Sequence, residues 1–151
     1  MNQFMEEAII LSLLQDKGGP FGAVIVFEDR IISAGRNEVL ALNDPTAHAE
    51  MVAIRRACRG VGHFKLDGCV LYTSCEPCPM CLSACYWANI DTIYYGCTRK
   101  DASDIGFNDE FVYEELRKPI ETRGISMFQV DREDALKAFK AWESNPNRQM
   151  Y

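Results

Sequence analysis

The chain has 151 residues, 48% hydrophobic and 25% charged, which fits one globular domain and excludes a disordered chain. Its 16 Lys and Arg against 22 Asp and Glu give a formal charge of −6, which disfavours nucleic acid and anionic lipid as partners. No apolar run approaches the ~20 residues that cross a bilayer.

In chain order, Asn2 to Gln15 reads as a helix, with Phe4, Met5, Ala8, Ile9 and Leu13 near a 3.6-residue spacing, and Gly18-Gly19-Pro20 ends it. Phe21 to Phe27 and Arg30 to Gly35 read as strands joined by a tight turn at Glu28-Asp29. Asn43-Asp44-Pro45 is a turn, after which Thr46 is expected to cap a helix reaching Cys58. Gly68 to Tyr72 is a short buried strand, and Pro79 suits the first turn of a helix ending near Trp87. Thr92 to Gly96 is a fourth strand, Asp101 to Asn108 a polar loop, Asp109 to Leu116 a helix and Ile125 to Val130 a fifth strand. An amphipathic helix over Asp131 to Glu143 and a polar tail close the chain. The alternation predicts one α/β domain over residues 1–151, a mixed five-stranded sheet sandwiched by helices.

Two helix starts carry the chemistry. His48-Ala49-Glu50 opens the second helix, and Pro77-Cys78-Pro79-Met80-Cys81 opens the third. Side chains lean toward a helix N-terminus, so two facing tips can bring one imidazole and two thiolates to one zinc. Both helix dipoles favour the anionic form of Cys78 and Cys81. One His and two Cys leave a tetrahedral zinc one ligand short, the mark of a catalytic site with water in the fourth position. Zinc can lower the pKa of such a water to about 7, and Glu50, two residues from His48, is placed to move its protons.

Cys75 offers a rival reading, since three Cys plus His48 would make a closed structural zinc. It lies before Pro77, off the helix tip on which Cys78 and Cys81 stand one turn apart, so the open site is expected. The odd count of seven cysteines and the acidic residues before Ala8 predict reduced thiols in a cytoplasmic protein without a secretory leader. Cys58, Cys69, Cys85 and Cys97 fall in apolar segments and are expected to be buried. The Gly18–Gly22 segment lacks the Lys-Ser/Thr of a phosphate loop and precedes a strand, so it reads as a turn.

GGPFGAVIV, NDPTAHAEMVAIRRAC and LYTSCEPCPMC resemble the cytidine-deaminase-like superfamily, whose zinc signature is H-x-E with P-C-x-x-C. DASDIGFNDEFVYEEL, Phe128-Gln129-Val130 and the final tyrosine narrow the likeness to the small bacterial guanine deaminases. The resemblance implies zinc on His48, Cys78 and Cys81, with Glu50 as proton shuttle. It also implies that Asn37 hydrogen-bonds the substrate ring, that Phe21 and Trp87 wall the purine, and that Asp109 accepts hydrogen bonds from the base. Tyr151 would close the pocket, in a homodimer that exchanges C-terminal segments. The reaction implied is guanine to xanthine and ammonia. The competing expectations are a tRNA adenosine deaminase or a cytosine or cytidine deaminase of the same fold, and a non-catalytic zinc scaffold. The acidic balance argues for a free base over tRNA.

Overall fold

The structure, a computed structural model, describes residues 2–151. Asn2 caps α1 (Gln3–Ser12), its side-chain oxygen accepting from the backbone N–H groups of Phe4 and Met5. The helix ends before the Gly-Gly-Pro turn is reached. β1 (Gly22–Phe27) and β2 (Arg30–Arg36) form a hairpin. Its two turn residues, Glu28 and Asp29, both have positive φ (46° and 56°), the backbone that keeps a two-residue turn in step with strand twist. After a short helix, α2 (Val39–Leu42), come α3 (Ala49–Val61), β3 (Val70–Cys75), α4 (Pro79–Trp87) and β4 (Thr92–Cys97). The remaining elements are α5 (Arg99–Asp104), α6 (Glu110–Arg117), a 3-10 turn (Ile120–Thr122) and α7 (Arg132–Ser144).

The strand order is β2-β1-β3-β4. β1 runs antiparallel to both β2 and β3, and β4 runs parallel to β3 across the α4 crossover. Alternation along β1 divides the core. Ala23 and Ile25 pack with Ala49, Ala53 and Ala57 of α3, whereas Val24 and Val26 pack with Phe4 of α1. Helices therefore cover both faces. Small residues let α3 lie close: a Cβ on Gly35 of β2 would stand 2.3 Å from the Ala49 carbonyl oxygen. That approach fixes the helix turn bearing His48 and Glu50 against the sheet.

By its contacts the chain divides into Met1–Tyr113 and Glu114–Tyr151. The first unit holds the sheet and every buried residue described. The second holds the 3-10 turn and α7 and has no buried residue. No helix among the described residues is long and apolar enough to cross a membrane.

The structure corrects several expectations. The sheet has four strands, not five, because residues 125–130 pair with no strand, and Ile125, Phe128 and Val130 are exposed. Strand-forming side chains without a neighbouring ladder do not make a strand. Thr46 does not cap α3; its N–H and hydroxyl both donate to Asp44, and His48 occupies the cap position. The polar loop expected from Asp101 to Asn108 begins instead as α5, started by a reciprocal capping box between Thr98 and Asp101. Of the four cysteines expected to be buried, Cys58 is half-buried and Cys97, at the end of the edge strand β4, is exposed.

Candidate active site

His48 and Cys78 hold the same structural position, each the extended residue just before its helix (ψ 157° and 167°). Pro79 starts α4 without needing a backbone donor, and Cys81 follows one turn later. His48 Nδ1 lies 3.5 Å from Cys78 Sγ and 3.6 Å from Cys81 Sγ. A tetrahedral zinc with Zn–N of ~2.05 Å and Zn–S of ~2.3 Å has an N···S edge of about 3.6 Å, so the three atoms fit that ion. Among the described residues this is the one cluster of three or more candidate ligands, all its ligand atoms lying within 4.8 Å of one another.

The electrostatics suit a cation. A hydrogen bond from the Cys81 thiol and the nearby His48 ring pull Cys78 down to about 4, while the same pairing pushes Cys81 well up. The hydrogen bond with Cys78 raises His48. A metal ion would release the proton the pair shares and hold both sulfurs as thiolates.

Glu50, in the first turn of α3, is only 6% exposed, and burial raises its pKa. The Thr73 hydroxyl, from β3, donates to Glu50 Oε1 at 3.4 Å. Cys75, at the end of β3, is not in the ligand cluster; its thiol donates to the Thr98 carbonyl oxygen at 3.6 Å. Burial pushes it up to about 12, so it is a neutral thiol. The residues that could hold a metal together are thus His48, Cys78 and Cys81, without Cys75.

Beside the triad lies a cavity of about 410 Å³, lined by His48, Glu50 and Cys78 together with Phe21, Asn37 and Asp109. Asn37 follows β2, is 6% exposed, and is held by its own N–H donating to the Phe21 carbonyl oxygen at 3.0 Å. Its Oδ1 accepts from the Val39 N–H at 3.2 Å, which leaves the amide NH2 to donate to a ligand. Gly18 must be glycine here, since a Cβ would stand 2.0 Å from Asn37 Oδ1. Glu38, next along, is buried between Lys17 and Arg56 and donates its backbone N–H to Ala47, tying this loop to the segment before His48. The Asp109 carboxylate is half-buried and raised by desolvation.

Trp87 ends α4, is 67% exposed and is not among the residues that line this cavity. Tyr151 is an exposed residue of the second unit. Phe107 lines the cavity instead, its ring edge-on to Phe21 with centroids 5.0 Å apart. Sequence reading missed Phe107 and Thr73. Thr73 falls just past the expected strand end at Tyr72, which the structure carries on to Cys75, and Phe107 lies in the stretch expected to be a polar loop.

Residues 1–97 match the family described as the cytidine and deoxycytidylate deaminase zinc-binding region. The chain belongs to that zinc deaminase family. The guanine deaminase of Bacillus subtilis is 52% identical over 134 residues, 89% of this chain and 86% of that protein. A crystal structure of the Bacillus subtilis guanine deaminase superposes with a TM-score of 0.96 at 47% identity, over 100% of this chain and 99% of the other. A tRNA-specific adenosine deaminase of Agrobacterium fabrum is 47% identical over 77 residues, 51% of each chain. The deaminase family binds zinc, and His48, Cys78 and Cys81 are the residues that could hold it here.

Proposed function

We propose that residues 1–151 act as one zinc-dependent deaminase domain that hydrolyses guanine to xanthine and ammonia, with His48, Cys78 and Cys81 as the metal ligands. The observation that carries this reading is a carboxylate with no partner among the described residues, in the cavity beside the candidate metal cluster. Asp109 shares the lining with Phe21, Phe107 and Glu50. The likeness to the Bacillus enzyme across nearly the whole chain supports it, whereas the likeness to the tRNA deaminase covers only half.

When bound, zinc acidifies a water and so supplies a nucleophile near neutral pH. Phe21 and Phe107 shape a slot for a flat ring, and the Asn37 amide is free to donate to a ring acceptor. Asp109 can only accept when ionised, so it selects N–H donor edges and disfavours phosphate. Glu50 does the proton work. It takes one proton from the attacking water and delivers it to the ring nitrogen beside C2. It then passes the second to the exocyclic amine, which leaves as ammonia while C2 keeps the oxygen. Burial raises the affinity of Glu50 for protons, which suits a group that must hold and release one twice.

The working form in this reading is a homodimer exchanging C-terminal segments, with Tyr151 closing the neighbour's pocket. The exposed side chains of the second unit support it: Ile125, Phe128, Val130 and Phe139 are apolar groups that a second copy would cover. The seven cysteines are all free, which supports a reducing, cytoplasmic setting.

Ammonia release from guanine, adenosine, cytidine and tRNA tests the assignment, with Asp109→Ala beside the native chain. Guanine should be the preferred substrate, and Asp109→Ala should lower its kcat/KM by about 10- to 10²-fold, the loss of a charged acceptor. Preferential release from tRNA or cytidine, or unchanged guanine kinetics in Asp109→Ala, would remove guanine from the reading.

A further inference from the structure

The Asp109 carboxylate makes no hydrogen bond or ion pair with the described residues, although it lines the cavity. A carboxylate that prefers water and has no partner stays inward only if its backbone is held there. What holds that backbone lies one turn along the helix. Asp109 immediately precedes α6, Tyr113 is the fourth residue of that helix, and the Val112 N–H donates back to the Asp109 carbonyl oxygen at 3.1 Å. The Tyr113 hydroxyl donates to the Pro77 carbonyl oxygen at 2.9 Å, on the residue immediately before the metal-cluster residue Cys78.

The ring of Tyr113 is itself fixed. The Arg99 guanidinium lies over it, 4.6 Å from the centroid, at a distance suited to cation–π attraction. Arg99 Nε also pairs with Glu76 Oε1 at 3.3 Å, and the Arg99 backbone N–H donates to Glu76 Oε2 at 3.0 Å. Glu76 donates its own N–H to the Cys97 carbonyl oxygen at 2.8 Å, anchoring the metal loop to the end of β4. Four segments therefore meet at one residue pair. The metal loop, the end of β4, the start of α5 and the first turns of α6 are all tied through Arg99 and Tyr113.

We infer that Tyr113, seated under Arg99 and bonded to Pro77, is a positioning residue for substrate selection that sets where Asp109 stands relative to the metal loop. The inference rests on the guanine reading of Asp109 given above. Its effect reaches the substrate through Asp109 and not through the metal. Loss of the hydroxyl leaves the ring and its stacking in place while freeing α6 to rotate away from the cavity. Binding of the base should weaken more than the chemical step.

The experiment measures kcat and KM for guanine, with zinc content, in the native protein, Tyr113→Phe, Asp109→Ala and the double variant. Tyr113→Phe should raise KM about 3- to 10-fold, the weight of one neutral hydrogen bond, with kcat changed less than about 2-fold and zinc retained. In the Asp109→Ala background the same substitution should change KM less than about 2-fold, since the group it positions is gone. Tyr113→Phe kinetics equal to native, beside a damaged Asp109→Ala, would overturn the clamp and leave the guanine reading intact. Additive effects, a fall in kcat alone, or loss of zinc in Tyr113→Phe would also overturn it, by placing Tyr113 in general folding or in the metal loop. Native protein inactive on guanine, or Asp109→Ala unchanged, would overturn the reading beneath it, and the clamp with it.

Discussion

Residues up to Tyr113 enclose two apolar clusters, and the metal cluster stands at the rim of one of them. The residues from Glu114 onward include Phe128, Phe139 and Trp142, yet bury none of them. The contrast separates two requirements. Metal chemistry needs ligand atoms held to a few tenths of an ångström, and only a packed core holds helix starts that firmly. Ala49, Ala53 and Ala57 give α3 that footing, while Glu50 is carried inward on the same helix. A surface that the proposed second copy would cover has no such need and can leave its rings exposed in the single chain.

The sharpest way to break the comparison is at the metal. Cys78→Ala or Cys81→Ala should lose both zinc and turnover, because two ligands do not hold the ion at the affinity of three. Cys75→Ala should keep about one zinc per chain, since its thiol bonds to the Thr98 carbonyl oxygen and stands outside the cluster. Elemental analysis of the purified variants decides it, and a Cys75→Ala protein stripped of zinc would restore the closed structural site.

Next in size is Glu50→Gln, which keeps the shape of the side chain and its contact with Thr73 but removes proton transfer. Turnover should fall by about 10²- to 10⁴-fold with zinc still bound. Near-native turnover with confirmed zinc would take the shuttle role away from Glu50 and leave the buried carboxylate as a structural partner of Thr73.

How far the sequence foretold each region follows the same division. The helix starts at His48 and Cys78 were legible because a spacing of ligand types before an apolar run has few other uses. β1 through β4 were legible because each apolar run has a partner to pair with. The run from Ile125 to Val130 has the same local character but no ladder, and pairing is a property of the neighbour, not of the segment. Thr98 and Asp101 start α5 by bonding each other, a signal of two residues set in a polar stretch. Phe107 and Tyr113 were hidden for a different reason. Their roles depend on Phe21 and Pro77, 86 and 36 residues away in sequence, and no periodicity records such distances.

The smallest expected effect sharpens the comparison most. Leu71 of β3 is fully buried in the larger apolar cluster, and Leu71→Ala should cost about 2–5 kcal/mol of stability, the range for emptying a packed site. Phe139 of α7 is 74% exposed, so Phe139→Ala removes little that the single chain has buried and should stay within about 0.5 kcal/mol. That near-neutrality holds only while the chain is alone. If a second copy covers the face, its binding adds stability that grows with protein concentration, and the loss of a ring from that face subtracts from it. Denaturant melts at two widely separated protein concentrations, with sedimentation to fix the oligomeric state, separate the cases. Leu71→Ala should lower the midpoint by a similar amount at both concentrations. Phe139→Ala should match the native chain when dilute and fall below it when concentrated, with its dimer weakened. A Phe139→Ala cost equal to that of Leu71→Ala at high dilution would show the ring buried within its own chain. An unchanged, strictly monomeric protein at every concentration would leave the apolar face of α7 without a second copy to cover it.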